Sequence, residues 1–221
     1  MIKLNKKINF CIAADGTSAS GKTTGGKYIS KYFGLKFLSS GTLYRYCALR
    51  ILKNKKKYNS KFINKVASSI TMNKLNQKQL YNPKVTQLSS VIAKKLYIRK
   101  SLKKFQINFI KSSRLVLIEG RDIGSKIMPN ADLKLYFICS IKEKAKRRLK
   151  EFKRLNKNIS LNQVEKALIL RDGDDKGRKI SPLIKAKNAV LVDTTKLTLK
   201  EMELKLLTIV KNSIKKKYGN L

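Results

Sequence analysis

Histidine is missing altogether from these 221 residues, and so is tryptophan. The first absence removes imidazole as a general base and as a metal ligand, so catalysis here must run on carboxylates, amines, guanidiniums, hydroxyls and backbone groups. The second, together with the lack of aromatics interleaved on a basic strand pair, takes away the platform on which single-stranded nucleic acids stack. Cysteine is scarce: Cys11, Cys47 and Cys139 make an odd set with no metal-ligand spacing. Cys11 and Cys139 lie in apolar runs and read as core thiols of a reducing compartment. No apolar run is long enough to cross a bilayer, and the short one near the N-terminus leads straight into a loop, unlike a signal peptide. A cytoplasmic protein with no membrane attachment is expected.

Acidic residues are the other shortage. Only 13 Asp and Glu stand against 52 Lys and Arg, a formal charge of +39. Such an excess invites a nucleic-acid reading. The basic residues, however, divide into 42 Lys and 10 Arg, strewn over every segment among abundant Asn and Ile, without a compact stripe. A compositional bias explains the charge more simply, and no dedicated nucleic-acid binding is expected.

What is present is organised around one stretch. The apolar run from Ile8 to Ala14 breaks into Asp15-Gly16-Thr17-Ser18-Ala19-Ser20-Gly21-Lys22-Thr23-Thr24. This matches G-x-x-x-x-G-K-[ST], and the amphipathic stretch from Lys22 to Phe33 supplies the helix the motif requires behind its loop. Gly16 and Gly21 let the backbone curl so that N–H groups face phosphate oxygens, with the helix N-terminus adding its partial positive charge. Lys22 reaches the β and γ phosphates in this reading, and the Thr23 hydroxyl meets Mg²⁺. Gly16 to Thr24 therefore form a candidate ATP site.

Further along, Leu35 to Leu38 reads as a short strand ending in Ser39-Ser40-Gly41, with a helix from about Thr42. Asn54 to Tyr58 reads as a Lys-rich surface linker, Lys61 to Met72 as a weak helix, and Asn73 to Pro83 as a polar excursion. Lys84 to Lys111 reads as two helices meeting near Ile98 and Arg99. Leu115 to Ile118 and Leu133 to Ile138 have the continuous apolar character of strands buried on both faces of a parallel sheet. Ser140-x-x-Glu143, Ser160-x-x-Gln163 and Thr198-x-x-Glu201 mark helix starts of the capping-box type, and Ala189 to Val192 is a last strand. The alternation implies a doubly wound α/β fold with helices on both faces of the sheet.

Because lysine is the default base of this chain, each arginine raises the question of what lysine would not do. Arg45, Arg99, Arg121, Arg147, Arg148, Arg171 and Arg178, seven of the ten, fall in segments that look functional on other grounds. A planar fork that grips phosphate through two parallel hydrogen bonds is the property that separates them from lysine. The few acids concentrate in the same segments: Asp15, Glu119, Asp122, Asp172, Asp174 and Asp175. Glu119, ending a strand on the ligand edge of the sheet, could hold Mg²⁺ through water.

Taken together, Asp15-Gly16 to Lys22-Thr23, Ser40-Gly41-x-x-Tyr44-Arg45, Val85 to Arg99, Gly120-Arg121-Asp122-Ile123-Gly124, Ala145-x-Arg147-Arg148, and Arg171-Asp172-x-x-Asp175-x-x-Arg178 with Ser181-Pro182-Leu183 resemble bacterial cytidylate kinases. These form the (d)CMP kinase branch of the P-loop nucleoside monophosphate kinases. The resemblance covers nearly the whole length. It implies a single kinase domain over 1–221 with a five-stranded parallel core, an acceptor-binding insertion at 59–98 and a lid region at about 145–180. It further implies that Ser40, Arg45, Arg121, Asp175 and Arg178 hold the phosphate and ribose of CMP or dCMP, and that Ser90, Arg99 and Asp122 read cytosine. Arg147, Arg148 and Arg171 would close over ATP and the transferring group. Lys22, Arg121, Arg147, Arg148 and Arg171 would thus be the catalytic set, with Thr23 and Glu119 toward Mg²⁺, in a monomer. Ser39 and Glu119 stand where this family usually has Asp, and Tyr81 where an arginine of the insertion is expected.

Rival readings leave separate marks. A regulatory GTPase would need N-K-x-D, and no Asn-Lys pair here has Asp two residues on. A kinase for UMP, AMP or another small acceptor shares the phosphate loop, and a basic nucleic-acid-binding P-loop protein shares only the charge.

Overall fold

The central strand, β1 (Phe10–Gly16), owes its position to a run of residues that is apolar on both faces. In a computed structural model that describes residues 8–54, 58–154 and 159–219, it is the middle of a five-stranded sheet. The others are β2 (Lys36–Ser39), β3 (Leu115–Gly120), β4 (Leu133–Ile138) and β5 (Val190–Asp193), in the order β2-β3-β1-β4-β5. The registers of β3–β1, β1–β4 and β4–β5 are all parallel, with Ile12 opposite both Leu117 and Leu133. Parallel neighbours require crossovers, and helices cover the sheet as the apolar runs demand. The architecture is the expected α/β one. Residues 55–57 of the linker and 155–158 of the 145–180 stretch lie outside the described residues.

Two compact units emerge, one from the chain up to Leu38 and from Arg114 onward, the other from Ser39–Ser113. The first holds the sheet. Its main core joins Phe10, Ile12, Leu117, Leu135 and Phe137 of the strands to Ile29 and Phe33 of α1 (Lys22–Phe33) and to Met202, Leu206, Val210 and Ile214 of α8 (Leu199–Tyr218). Two of its helices, α6 (Ile141–Arg154) and α7 (Leu161–Gly177), pack through Ala145, Val164 and Leu168. The second unit is helical: α2 (Ser40–Asn54), α3 (Ser60–Ser68), α4 (Pro83–Ile92) and α5 (Leu96–Lys111). The stretch 59–98 falls inside it.

Several local expectations shift by a few residues. The polar segment before α4 contains two 3₁₀ turns, Asn73–Asn76 and Lys78–Tyr81, before Asn82 caps α4 by accepting the Lys84 amide at 2.9 Å. The α4–α5 break falls at 93–95, not at Ile98–Arg99. Arg99 sits in the first turn of α5 and its guanidinium reaches back to the Ala93 carbonyl at 3.1 Å, closing the end of α4. Both reciprocal capping boxes, at Ser160/Gln163 and Thr198/Glu201, are formed. At α6, Ser140 Oγ accepts from the Glu143 amide at 3.3 Å, but the Glu143 carboxylate goes to Arg147 and the Ser140 amide to Thr195 Oγ1. The thiol reading is corrected too. Cys47 is the buried one, and Cys11 and Cys139 are half-buried because they lie at strand ends.

α1 lies close to α8 because Gly25 has no side chain: a Cβ there would come within 2.5 Å of Leu206 Cδ1. Leu206→Ala should cost about 2–5 kcal/mol through the cavity it leaves, read as a lower urea midpoint with unchanged slope. Adding Gly25→Ala should destabilise the wild type but stabilise the Leu206→Ala background by up to about 1 kcal/mol, since the helix gains alanine propensity where space now exists. The same sign in both backgrounds would contradict this contact.

Candidate functional site

At the end of β1 the chain turns beneath β4. A Cβ on Gly16, whose φ is +154°, would lie 2.4 Å from the Phe137 carbonyl oxygen, so only glycine lets the loop leave the sheet here. Ala19 (φ 54°) and Gly21 (φ 85°) complete the curl into α1. The loop is braced from inside: Ser20 Oγ donates to the Thr17 carbonyl at 2.9 Å, and Lys22 Nζ donates to the same oxygen at 3.0 Å. Thr17 Oγ1 is buried with no hydrogen-bond partner within the protein. An orphaned buried hydroxyl at the centre of such a loop fits a bound anionic oxygen. Thr24, by contrast, is exposed in the first turn of the helix.

Beside the loop stands Glu119, near the end of β3. Thr23 Oγ1 donates to its Oε1 at 3.0 Å, and Lys22 Nζ lies 3.8 Å from Oε2. Hydroxyl and carboxylate together form a hard-oxygen pair of the kind that holds Mg²⁺ in company with phosphate and water, and no cage of three or more acidic ligands occurs among the described residues. The pair fits such an ion.

Arg121, one residue beyond β3, is fastened on three sides. Its Nε donates to Asp175 Oδ2 at 2.7 Å, Nη1 to the Gly120 carbonyl at 3.1 Å, and Nη2 to Ser18 Oγ at 3.2 Å. Asp175 lies on α7, and its other oxygen faces Arg178 Nη1 at 3.5 Å; Arg178 Nε also donates to the Ser181 carbonyl. The paired arginines hold Asp175 below the usual carboxylate range despite its burial. A buried carboxylate at Asp15 fixes the segment after Arg121, with its two oxygens accepting the Ile123 amide at 2.8 Å and the Gly124 amide at 2.7 Å at the start of a π-helical turn, Ile123–Ile127. Burial raises Asp15 to about 6, against the opposing pull of those two amides. Asp122, between Arg121 and that turn, is itself buried.

The arginines of α6 and α7 take different stations. Arg147 Nη1 and Nη2 donate to Thr194 Oγ1 and to the Thr194 carbonyl at 3.0 and 2.7 Å, placing the guanidinium beside Gly21. Arg148 engages its own helix, donating to Glu151 Oε2 at 2.6 Å with its guanidinium 5.2 Å from the Phe152 ring centre. Arg171 on α7 is close enough for its charge to act on both Lys22 and Asp175. In the helical unit, Ser40 is buried at the start of α2, Arg45 lies 4.7 Å from the Tyr81 ring centre, and Arg99 lies 5.5 Å from that of Tyr44. Ser90 Oγ is 3.5 Å from the Thr86 carbonyl in its own helix.

Three participants were not assigned from the sequence. Thr194 is fully buried and links Arg147 to the Ser20 carbonyl at 3.0 Å; its place just after β5 was the available signal. Lys144 and Asp172 form a buried ion pair, and Asp172 Oδ1 accepts the Ser18 amide at 3.1 Å. Nothing distinguishes Lys144 among 42 lysines in the sequence.

Burial, aided by the Arg121 charge, lowers Lys22 from its usual value near 10.5 to about 7. Between those values the unfolded chain binds a proton that the folded chain does not, so this residue makes unfolding harder as pH rises. The stability difference between wild type and Lys22→Met should therefore shift in favour of wild type from pH 7 to 9.5, measured by urea unfolding without nucleotide. A flat or opposite trend would show that Lys22 keeps its proton in the folded protein.

Comparison with known proteins gives a consistent picture. Residues 12–212 match the model of the family described as cytidylate kinase. A protein named cytidylate kinase from Rickettsia felis is 35% identical over 206 residues, covering 93% of this chain and 94% of that one. Another of that name, from Thermosipho melanesiensis, is 34% identical over 213 residues, covering 92% and 98%. Among solved structures, an uncharacterized protein from Eubacterium ventriosum aligns with a TM-score of 0.51 at 11% identity, covering 93% of this chain and 98% of that one. That likeness concerns the fold alone.

Proposed function

This chain belongs to the cytidylate kinase family, and we propose that it transfers the γ-phosphoryl group of ATP to CMP or dCMP, giving the corresponding diphosphate. The observation that carries the reading at the level of chemistry is that Lys22 and Arg121 meet at the glycine loop, with Asp175 joining Arg121 to Arg178. Phosphoryl transfer to a phosphate needs no general base, because the attacking oxygen is already anionic. Catalysis is positioning plus neutralisation of charge. The absence of histidine is therefore no handicap.

In this reading Gly16 to Thr24 cradle ATP, and Lys22, whose proton burial loosens, regains it as the phosphates arrive. Thr23 and Glu119 would hold Mg²⁺, which when bound neutralises charge between the β and γ phosphates. Arg121 and Arg178, oriented by Asp175, take the acceptor's phosphate with Ser40 and Arg45. Arg171, Arg147 and Arg148, in the 145–180 lid region, act on the triphosphate and exclude water that would otherwise hydrolyse it. Ser90, Arg99 and Asp122 read the base, and residues 59–98 serve as the acceptor-binding insertion. Cytosine offers an exocyclic amine where uracil offers a carbonyl oxygen, and an ionised Asp122, acceptor only, suits the amine. The protein works as a cytoplasmic monomer.

Coupled assays with ATP should give CMP and dCMP as good acceptors, UMP as much poorer and AMP as negligible. Asp122→Ala should narrow the CMP-to-UMP ratio by more than it raises the KM for ATP. AMP as the best acceptor, or a ratio untouched by the substitution, would refute the cytidylate assignment.

Arginine-to-lysine replacements test the clamp. Arg121→Lys and Arg178→Lys keep charge but lose the fork, and each should cost about 1–3 kcal/mol in kcat/KM for the monophosphate. Arg114→Lys, at an exposed position, should be neutral. Equal losses at all three positions would remove the distinction between arginine and lysine here.

A further inference from the structure

Lysine is the commonest surface residue of this protein, yet among the described residues two lysines are buried, Lys22 and Lys144, each 5% exposed. Lys22 belongs to the phosphate loop. Lys144, on α6, meets the carboxylate of Asp172 on α7, which is itself 7% exposed. The other oxygen of that carboxylate accepts the backbone amide of Ser18, in the middle of the phosphate loop, at 3.1 Å. Ser18 is held a second time through its hydroxyl, which accepts from Arg121 at 3.2 Å. A continuous chain of polar contacts thus runs from α6 through α7 into the loop, beside Arg171, the neighbour of Asp172 in sequence.

Two physical points give this chain a purpose. A buried ion pair is weak as a stabilising device, because desolvating both charges offsets their attraction, and apolar residues of similar volume often do as well. A carboxylate against a loop built to receive a triphosphate is also a repulsive neighbour unless its charge is cancelled. Lys144 cancels it at contact distance, and Asp172 can then act as a neutral-on-balance acceptor that turns the Ser18 amide toward α7 and pins the helix carrying Arg171, Asp175 and Arg178 to the loop.

Resting on the kinase reading above, we infer that Lys144 and Asp172 are positioning residues for phosphoryl transfer, setting the phosphate loop against α7 so that the loop and its arginines meet the triphosphate in one geometry. Neither touches the substrate in this role; both act through Ser18 and α7.

The experiment separates position from stability. Lys144→Met, Asp172→Leu, the double variant, Lys144→Arg and the surface control Lys150→Met are compared for Tm and for kcat and KM of ATP and CMP. Each single variant leaves a buried charge unpaired and should lower both Tm and turnover. The double variant should regain most of the Tm while kcat stays down by about 10²-fold, as expected for misplaced catalytic groups. Lys144→Arg should restore most of the turnover lost in Lys144→Met, and Lys150→Met should match wild type. A double variant that recovers kcat along with Tm would overturn the inference, as would Lys144→Arg no better than Lys144→Met. If the double variant does not fold, the comparison of Lys144→Arg with Lys144→Met decides alone. Wild-type protein without transferase activity on any nucleoside monophosphate would instead overturn the kinase reading, and this inference with it.

Discussion

Everything at the phosphate loop follows from the cost of crowding positive charge in a place sheltered from water. Lys22 lies within electrostatic reach of Arg121 and Arg171, Arg178 shares Asp175 with Arg121, and burial drops Lys22 to about 7. Such a cluster is tolerable only if carboxylates are interleaved with it. In a chain with 13 acids, Glu119, Asp172 and Asp175 are spent on this one region. Glu119 comes from near the end of β3 and the other two from α7, so charge balance at the loop also determines which elements must be neighbours. A bound anion would complete the same balance, so the charge arrangement favours anion binding at the loop.

Backbone constraints set where that cluster can form. Gly16 must be glycine because the loop leaves β1 within 2.4 Å, counted to a would-be Cβ, of the Phe137 carbonyl. Asp15, one residue earlier, uses both carboxylate oxygens on the amides of Ile123 and Gly124, so the strand that launches the loop also fixes the turn after Arg121 and Asp122. The polar residues are thus tied to the rigid centre of the sheet rather than to loops alone, which favours precise placement of groups that act by position and charge.

Much of this was legible in advance, for identifiable reasons. The G-x-x-x-x-G-K-T pattern needs a strand before it and a helix after it, and periodicity alone supplied both. Arginines stood out because lysine was the background. The boundaries were less legible: the α4–α5 break moved from Ile98–Arg99 to 93–95 because Arg99 closes the Ala93 carbonyl, a contact no propensity records. Cys47, and not Cys11 or Cys139, proved buried, since apolar neighbours in sequence do not determine how far a strand end reaches into the core.

By itself, the sequence determined the alternation of strands and helices, the parallel sheet, the phosphate loop and the kind of chemistry available without histidine. These are local matters, encoded in period, glycine placement and residue type. Only the tertiary structure decided that Asp175 serves Arg121 and Arg178 together, that Arg147 turns to Thr194 while Arg148 turns to Glu151, and that Lys144 and Asp172 reach the Ser18 amide. The pairings of Asp175 with Arg121, Arg147 with Thr194, Lys144 with Asp172 and Asp172 with Ser18 join residues from different elements, up to 154 positions apart in the last case. A single chain carries no mark of them, because a buried charge finds its partner only when packing has removed the water that would otherwise serve.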